Sequence, residues 1–493
     1  MTTTPVPRAK RAFIMVWEGM RPDLISAELT PNLASLAARG VRFLDSHAVF
    51  PTVTRVNSAS LSTGAWPAEH GIAGNTVYAP GVDARAPISI GDHHSLYALI
   101  ESRGGRLVPC DTLADRVAEA GDRTVVVSTG SPGSAFLCHP RVRECPGDRL
   151  FNPAIMLPRG AGQELVDRLG PIPASTIPNT ERDAYFARAI AEYVLPELDP
   201  RLLIYWHTDP DVTQHRRGLG SPDSMAAIRN ADTNLGLVLA VLDGDGRMDE
   251  MVVAVVSDHG YASIDPAVEA QSPLVAAGLG VELEAGRLIL SNNGLSLFAN
   301  VPDGDSRRIE WVARALQAWE YAGPVFSGAR GQPTVQGTLP MPLVGVDGEL
   351  APDVLCTLVW NDAPNQYGLG GRSAGLTTQY LATHGGISPW EVRNTFILAG
   401  AGVKVGLEDP LPAGNLDLVP TLVHLLGLDS ASSPSLTGRV LAEALNGGPE
   451  PGQIKVRQET VGAERDGYRA SLRFSLAGGA RYLDFGWAER ESS

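Results

Sequence analysis

Five short apolar runs punctuate the chain: FIMVW (13–17), TVVVS (124–128), LLIYWH (202–207), MVVAVVS (251–257) and NTFILAG (394–400). They are too short for helices and do not alternate with polar residues, so each reads as a strand buried on both faces. Between them lie segments with apolar residues at helical spacing: 30–40, 95–105, 111–121, 182–198 and 224–244. Several close on Gly, the usual helix stop. Strands alternating with such helices predict an α/β fold, with a mainly parallel sheet covered on both faces in three α/β/α layers. Ligands of such sheets bind at the carboxyl ends of the strands.

The pattern changes between 262 and 380. This stretch is rich in Gly and Pro and carries short alternating pieces such as RLILSN and LSLFANV. It reads as an inserted cap near the site, with a helix over 306–319. The core resumes at about 409, where LDLVPTLVHLLGLD predicts a helix entered through Pro420. The alternating stretches IKVRQETV, YRASLRFSL and ARYLDFGW predict a small antiparallel appendage. The expected organisation is a catalytic unit over 8–450, including the cap at 262–380, and a C-terminal β appendage over 451–493.

At 493 residues the chain exceeds what one hydrophobic core usually fills. A formal net charge of −15 argues against a nucleic-acid scaffold. It does not exclude a phosphorylated small molecule, because a bound metal inverts the local field. The cysteines at 110, 138, 145 and 356 fit no zinc ribbon or redox motif. The first apolar run breaks at Glu18-Gly19 after five residues, too early for a secretory leader. No stretch approaches the roughly 20 apolar residues of a membrane helix. A cytoplasmic protein with no membrane partner is expected; the sequence leaves its oligomeric state open.

Candidate metal ligands fall in separate fragments: Asp211 and His215 in DPDVTQH, Asp258 and His259 in SDHGY, and His384 in ATHGG. Glu18 and Thr54, in VWEGM and FPTVTRVN, join them. Carboxylate oxygen and imidazole nitrogen suit Zn²⁺ and similar divalent ions. Seven candidates are too many for one tetrahedral ion and enough for two. Two ions about 4 Å apart clamp the attacking and leaving oxygens of a phosphoryl transfer. A helical 211–215 segment would put Asp211 and His215 on one face. Thr54 precedes a predicted helix whose N-terminus offers N–H groups to a phosphate, with Thr52 as competitor for the nucleophile's role. His139 shows no partner pattern in the sequence.

The order of these fragments resembles the alkaline phosphatase superfamily, most closely its nucleotide pyrophosphatase/phosphodiesterase branch. The resemblance rests on EGMRPD with TPNL, PTVT, TGAWPAEHGI, Asn75, PDVTQH, SDHG and HGG, covering roughly 10–80, 200–262 and 380–430. It implies an alkaline-phosphatase-like core and a two-zinc site, with other divalent metals as alternatives. One ion would be held by Asp211, His215 and His384, the other by Glu18, Thr54, Asp258 and His259. Thr54 would attack phosphorus and form a phosphothreonine, with Asn75 and the Thr54 N–H holding the phosphoryl oxygens. The substrate would be a small phosphodiester or pyrophosphate. The chain departs from the branch at Glu18, where the branch has Asp, and at Arg55, where it usually has an aromatic residue. Arg55 could grip a phosphate or carboxylate, which keeps a phosphonate hydrolase, resembling phosphonoacetate hydrolase, as the alternative. A phosphomonoesterase and a non-catalytic binding relative follow.

Overall fold

The computed structural model describes residues 9–428 and 436–491. Asp429, the last residue of one predicted helix, and residues 8 and 492–493 of the two expected units lie outside them. A nine-stranded sheet forms the centre. Its strands are β1 (Arg11–Trp17), β2 (Gly40–His47), β3 (Thr124–Ser128), β4 (Arg149–Asn152), β5 (Ile155–Leu157), β6 (Leu202–His207), β7 (Met251–Val256), β8 (Phe396–Gly400) and β9 (Leu407–Gly414). The spatial order is β9-β2-β8-β7-β1-β6-β3-β4-β5. Pairing is parallel from β7 through β1, β6 and β3 to β4, and antiparallel where β8 and β5 join.

Alternate residues of β1 feed two separate cores. Phe13, Met15 and Trp17 pack with helices α1 (Pro31–Ala38), α5 (Thr180–Ala189) and α7 (Pro222–Gly244). Ala12, Ile14 and Val16 face α2 (Thr54–Thr63), α3 (Leu113–Glu119), α4 (Pro132–Cys138) and α8 (Asn415–Leu426). The remaining helix of interest, α6 (Asp211–Arg217), follows β6 directly. Two-sided burial is why the central strands read as unbroken apolar runs.

Two elements differ from expectation. The predicted helix over 182–198 is α-helical only to Ala189 and widens into a π-helix over Ile190–Leu198. Pro420 lies inside α8 rather than at its entrance. Its ring leaves the Leu416 carbonyl without its helical donor, and Gly438 packs so closely on that carbonyl that a Cβ there would stand 2.0 Å from the oxygen.

Within 262–380, strands 289–293, 296–300, 354–358, 322–327 and 339–340 form a separate five-stranded sheet. The helix expected over 306–319 spans Ser306–Gln317. The last three strands, Val456–Arg465, Tyr468–Ala477 and Ala480–Arg490, make an antiparallel sheet whose Tyr468, Leu472, Phe474 and Leu483 join the larger core. No helix of the described residues is long and apolar enough to cross a membrane.

Candidate active site

Three adjacent parallel strands deliver three acids to one edge. The Glu18 N–H follows β1 and bonds the His207 carbonyl of β6 at 3.0 Å, and the Asp211 N–H returns to the Glu18 carbonyl at 3.1 Å. Asp258, after β7, accepts at Oδ1 from the Gly19 N–H (3.0 Å) and its neighbour His259 N–H (3.1 Å). All three carboxylates are buried. The stretch from Asp211 is helical, so Asp211 and His215 share one face. Asp209 stabilises that helix by accepting from the Thr213 N–H and hydroxyl, at 3.2 and 2.8 Å.

Three histidines complete the cluster in the same way. The Nδ1 of His215 meets the Ala382 carbonyl at 2.9 Å, that of His259 the Gly260 carbonyl at 2.9 Å, and that of His384 the Thr52 carbonyl at 2.8 Å. A backbone carbonyl at Nδ1 holds a proton there and turns each Nε2 toward the site, the orientation of metal-ligating imidazoles. Those Nε2 atoms face carboxylate oxygens: His215 to Asp211 Oδ2 at 3.4 Å, His384 to Asp211 Oδ1 at 3.5 Å, His259 to Asp258 Oδ2 at 3.1 Å. Asp211 Oδ1 and Asp258 Oδ2 are buried without a hydrogen-bond partner. Ligand atoms about 2.0–2.1 Å from a tetrahedral ion sit roughly 3.3 Å from one another, so these spacings suit donors sharing cations.

Charge points the same way. Burial lowers His215, and burial, then the charge of His259, drives His384 well down, which favours the neutral imidazoles that ligate metals. Burial, then the charges of Asp211 and Asp258, push Glu18 up to about 8. His259 rises to about 9, Asp258 outweighing the cost of burial. A buried group of acids that cannot all ionise unaided is a site that divalent cations would neutralise. Asp211, His215 and His384 fit one metal: their ligand atoms all lie within 4.8 Å of one another.

Thr54 opens α2, its hydroxyl buried and 3.4 Å from His259 Nε2. Thr52 is committed elsewhere: its hydroxyl donates to the Gly386 carbonyl (2.8 Å) and accepts from the Gly385 N–H (3.1 Å). Asn75 Oδ1 accepts from the Arg55 N–H at 3.0 Å, which leaves its Nδ2 as the side chain's donor group. The Arg55 guanidinium reaches across Gly91, where a Cβ would come within 2.8 Å of its Nη2, and acts electrostatically on Glu18, His215 and His384. Its Nε is buried without a partner.

Several supporting residues carry no signal in the sequence. Asn293 Oδ1 accepts from the N–H groups of Asn75 (2.7 Å) and Thr76 (3.0 Å), and its Nδ2 donates to the Thr76 carbonyl (2.9 Å). Tyr380 stacks on His215 with centroids 4.3 Å apart. The Trp206 indole donates to Glu18 Oε2 at 2.8 Å. Away from the site, His139 has a partner after all: its Nε2 lies 2.6 Å from Asp148.

Residues 12–329 match the family model for type I phosphodiesterase/nucleotide pyrophosphatase. No curated protein matches the chain. Among solved structures, murine ectonucleotide pyrophosphatase/phosphodiesterase 5 is similar at 17% identity, with a TM-score of 0.61 over 86% of this chain and 97% of that one. An inactive threonine-to-alanine form of that murine protein, in complex with AMP, is similar at 16% identity and a TM-score of 0.59, over the same shares.

Proposed function

The chain belongs to the type I phosphodiesterase/nucleotide pyrophosphatase family, a hydrolase family, and from that premise we propose that it cleaves small phosphodiesters or pyrophosphates through a phosphothreonine at Thr54, on a two-zinc site. Asp211, His215 and His384 would hold one ion, and Glu18, Asp258, His259 and the Thr54 hydroxyl the other. Bound divalent ions lower the pKa of a hydroxyl and offset charge developing on phosphoryl oxygens. Thr54 Oγ1 forms the new P–O bond while the bond to the leaving oxygen breaks. Water then cleaves the phosphothreonine and restores the hydroxyl. The N-terminal N–H groups of α2 and the Asn75 amide face the phosphoryl oxygens, and Arg55 meets a further anionic group of the substrate. The observation that carries this reading is the shared orientation of the three histidines, each Nδ1 on a carbonyl and each Nε2 toward an acid.

The murine neighbour's complex with AMP supports a nucleotide as the small phosphorylated substrate, and its inactive threonine-to-alanine form supports a threonine at the centre of the chemistry. A phosphonate carrying a carboxylate is the second reading, favoured by Arg55 and its unpartnered Nε. The zinc-loaded protein should hydrolyse bis-p-nitrophenyl phosphate faster than p-nitrophenyl phosphate or phosphonoacetate. Acid quenching during turnover should trap phosphate on the peptide containing Thr54. Preference for phosphonoacetate would move the reading to the phosphonate class, and trapped phosphate on another residue would reject Thr54.

A further inference from the structure

Glu18 is a long side chain in a place with little to hold it. It leaves the end of β1 buried, beside the charges of Asp211 and Asp258, both of which repel its ionised form. A free glutamate there would swing away from the other acids. The Arg55 charge draws it from a distance, and one hydrogen bond fixes its direction. Trp206, fully buried on β6 and registered opposite Val16 of β1, donates its indole N–H to Glu18 Oε2 at 2.8 Å. Among the described residues no donor reaches Oε1. The indole N–H donates only, so it holds the carboxylate without competing for a cation.

The loop after β3 closes the arrangement. A Cβ at residue 130 would stand 2.9 Å from Trp206 Cδ1 and 3.2 Å from Glu18 Oε2. Gly130 therefore leaves room for the indole and the carboxylate to lie side by side. Glu18, Trp206 and Gly130 come from three neighbouring strand ends and fit only together.

Resting on the two-ion reading above, we infer that Trp206 is a positioning residue: it commits Glu18 Oε2 to the indole and leaves Oε1 as the oxygen offered to the ion shared with Asp258 and His259. Partners of this kind, acting on a ligand and not on the metal, typically change metal affinity by about 10–100-fold when removed.

The test is zinc titration by calorimetry, with bound zinc counted by elemental analysis, on wild type, Trp206→Phe, Glu18→Ala and the double variant. Thermal melts check that each is folded. Trp206→Phe should weaken one of the two ions about 10–100-fold and leave the other unchanged. In the Glu18→Ala background, Trp206→Phe should have no further effect on zinc. Gly130→Ala, which crowds the same contact, should weaken the same ion and covers the case in which Trp206→Phe does not fold. Unchanged affinity at both sites, equal weakening of both, or additive loss in the double variant would each overturn the inference while leaving the two-ion site standing. A wild type that binds fewer than two ions would reject the two-ion reading itself, and this inference with it.

Discussion

Thr52→Val exchanges one buried hydroxyl for a methyl, and Thr54→Ala, two residues on, removes a buried hydroxyl together with its methyl; the expected consequences are opposite. The Thr52 hydroxyl is buried and makes two hydrogen bonds, to the Gly386 carbonyl and from the Gly385 N–H. Thr52→Val keeps the shape but strands both backbone groups, at about 1–3 kcal/mol for each unsatisfied group. The total is roughly 2–6 kcal/mol. Unfolding entropy of about 2.1 cal/mol/K per residue over 493 residues makes 1 kcal/mol worth roughly 1 °C, so the melting temperature should fall by about 2–6 °C. The Thr52 carbonyl that orients His384 is backbone and survives, so turnover should stay within about tenfold of wild type. The Thr54 hydroxyl has only a 3.4 Å contact with His259 Nε2, at the weak end for a hydrogen bond. Losing it with the buried γ-methyl that Thr54→Ala also removes should cost about 1 kcal/mol and lower bis-p-nitrophenyl phosphate turnover roughly 10⁴-fold or more, as loss of a nucleophile does. Thermal melts and steady-state turnover on the same zinc-loaded samples measure both quantities. A Thr54→Ala protein that keeps a tenth of its activity, or a Thr52→Val protein that is inactive at unchanged stability, would refute the assignment.

Asn293→Ala removes three hydrogen bonds that hold the Asn75 loop. It should lower kcat/KM about 10–100-fold with bound zinc unchanged; unaltered kinetics would show that the loop is held otherwise. In the metal-free protein Glu18 is raised from 4.5 to about 8 and His259 from 6.5 to about 9. Groups raised on folding contribute stability that is complete below their unfolded pKa and lost as pH climbs through the folded value. Chelated protein should therefore lose melting temperature from about pH 5 to 9 while the gain on adding zinc grows; a zinc gain that shrinks with pH would contradict the proposed ligands. His47 is raised as well: burial opposes the shift, but the Asp484 hydrogen bond and the charges of Asp45 and Asp484 outweigh it. Asp484→Asn should cost most stability below pH 6.5 and progressively less in alkali, and a pH-independent loss in melts would show that His47 is not charged in the fold.

Much of the centre was legible because burial on both faces writes a strand as an unbroken apolar run. TVVVS and LLIYWH became β3 and β6 without a residue's difference. Two strands at one end of the sheet were not legible. GVRFLDSH interrupts its apolar residues with charges, and LEDPLPAG, the edge strand β9 with one side unpaired, carries charges and prolines. The antiparallel direction of β8 was also hidden, since NTFILAG is buried like its parallel neighbours. Metal-ligand residue types announce themselves by chemistry, which is why Asp211, His215, Asp258, His259 and His384 could be picked out of separate fragments. Their supports could not. A lone Trp206 in a hydrophobic strand reads as core, and a lone Asn293 reads as a turn, until the partner of each is in view. Thr52 and Thr54 are alike as hydroxyls in PTVT, and what the sequence does not show is that the Thr52 hydroxyl is tied to Gly385 and Gly386.

The region between 262 and 380 bears on the chemistry through Tyr380, which stacks on His215, and through one turn. The first two strands of its five-stranded sheet, 289–293 and 296–300, meet at Asn293–Ser296, and that turn touches the site at two ends. Asn293 holds the backbone at Asn75 and Thr76. Two and three residues on, the Leu295 N–H bonds the His384 carbonyl at 3.0 Å and the Ser296 hydroxyl bonds the Gly385 carbonyl at 2.5 Å. Gly294 lies between them with φ +72°, and a Cβ there would stand 2.0 Å from the His384 oxygen. One rigid turn thus fixes the spacing between Asn75, on the side of the α2 N-terminus, and His384, on the side of Asp211 and His215. A shift of this turn moves both at once, so a substitution in the inserted sheet that tilts the turn should change turnover and zinc affinity together. Substitutions that affect leaving-group contacts alone should change KM with zinc affinity unmoved.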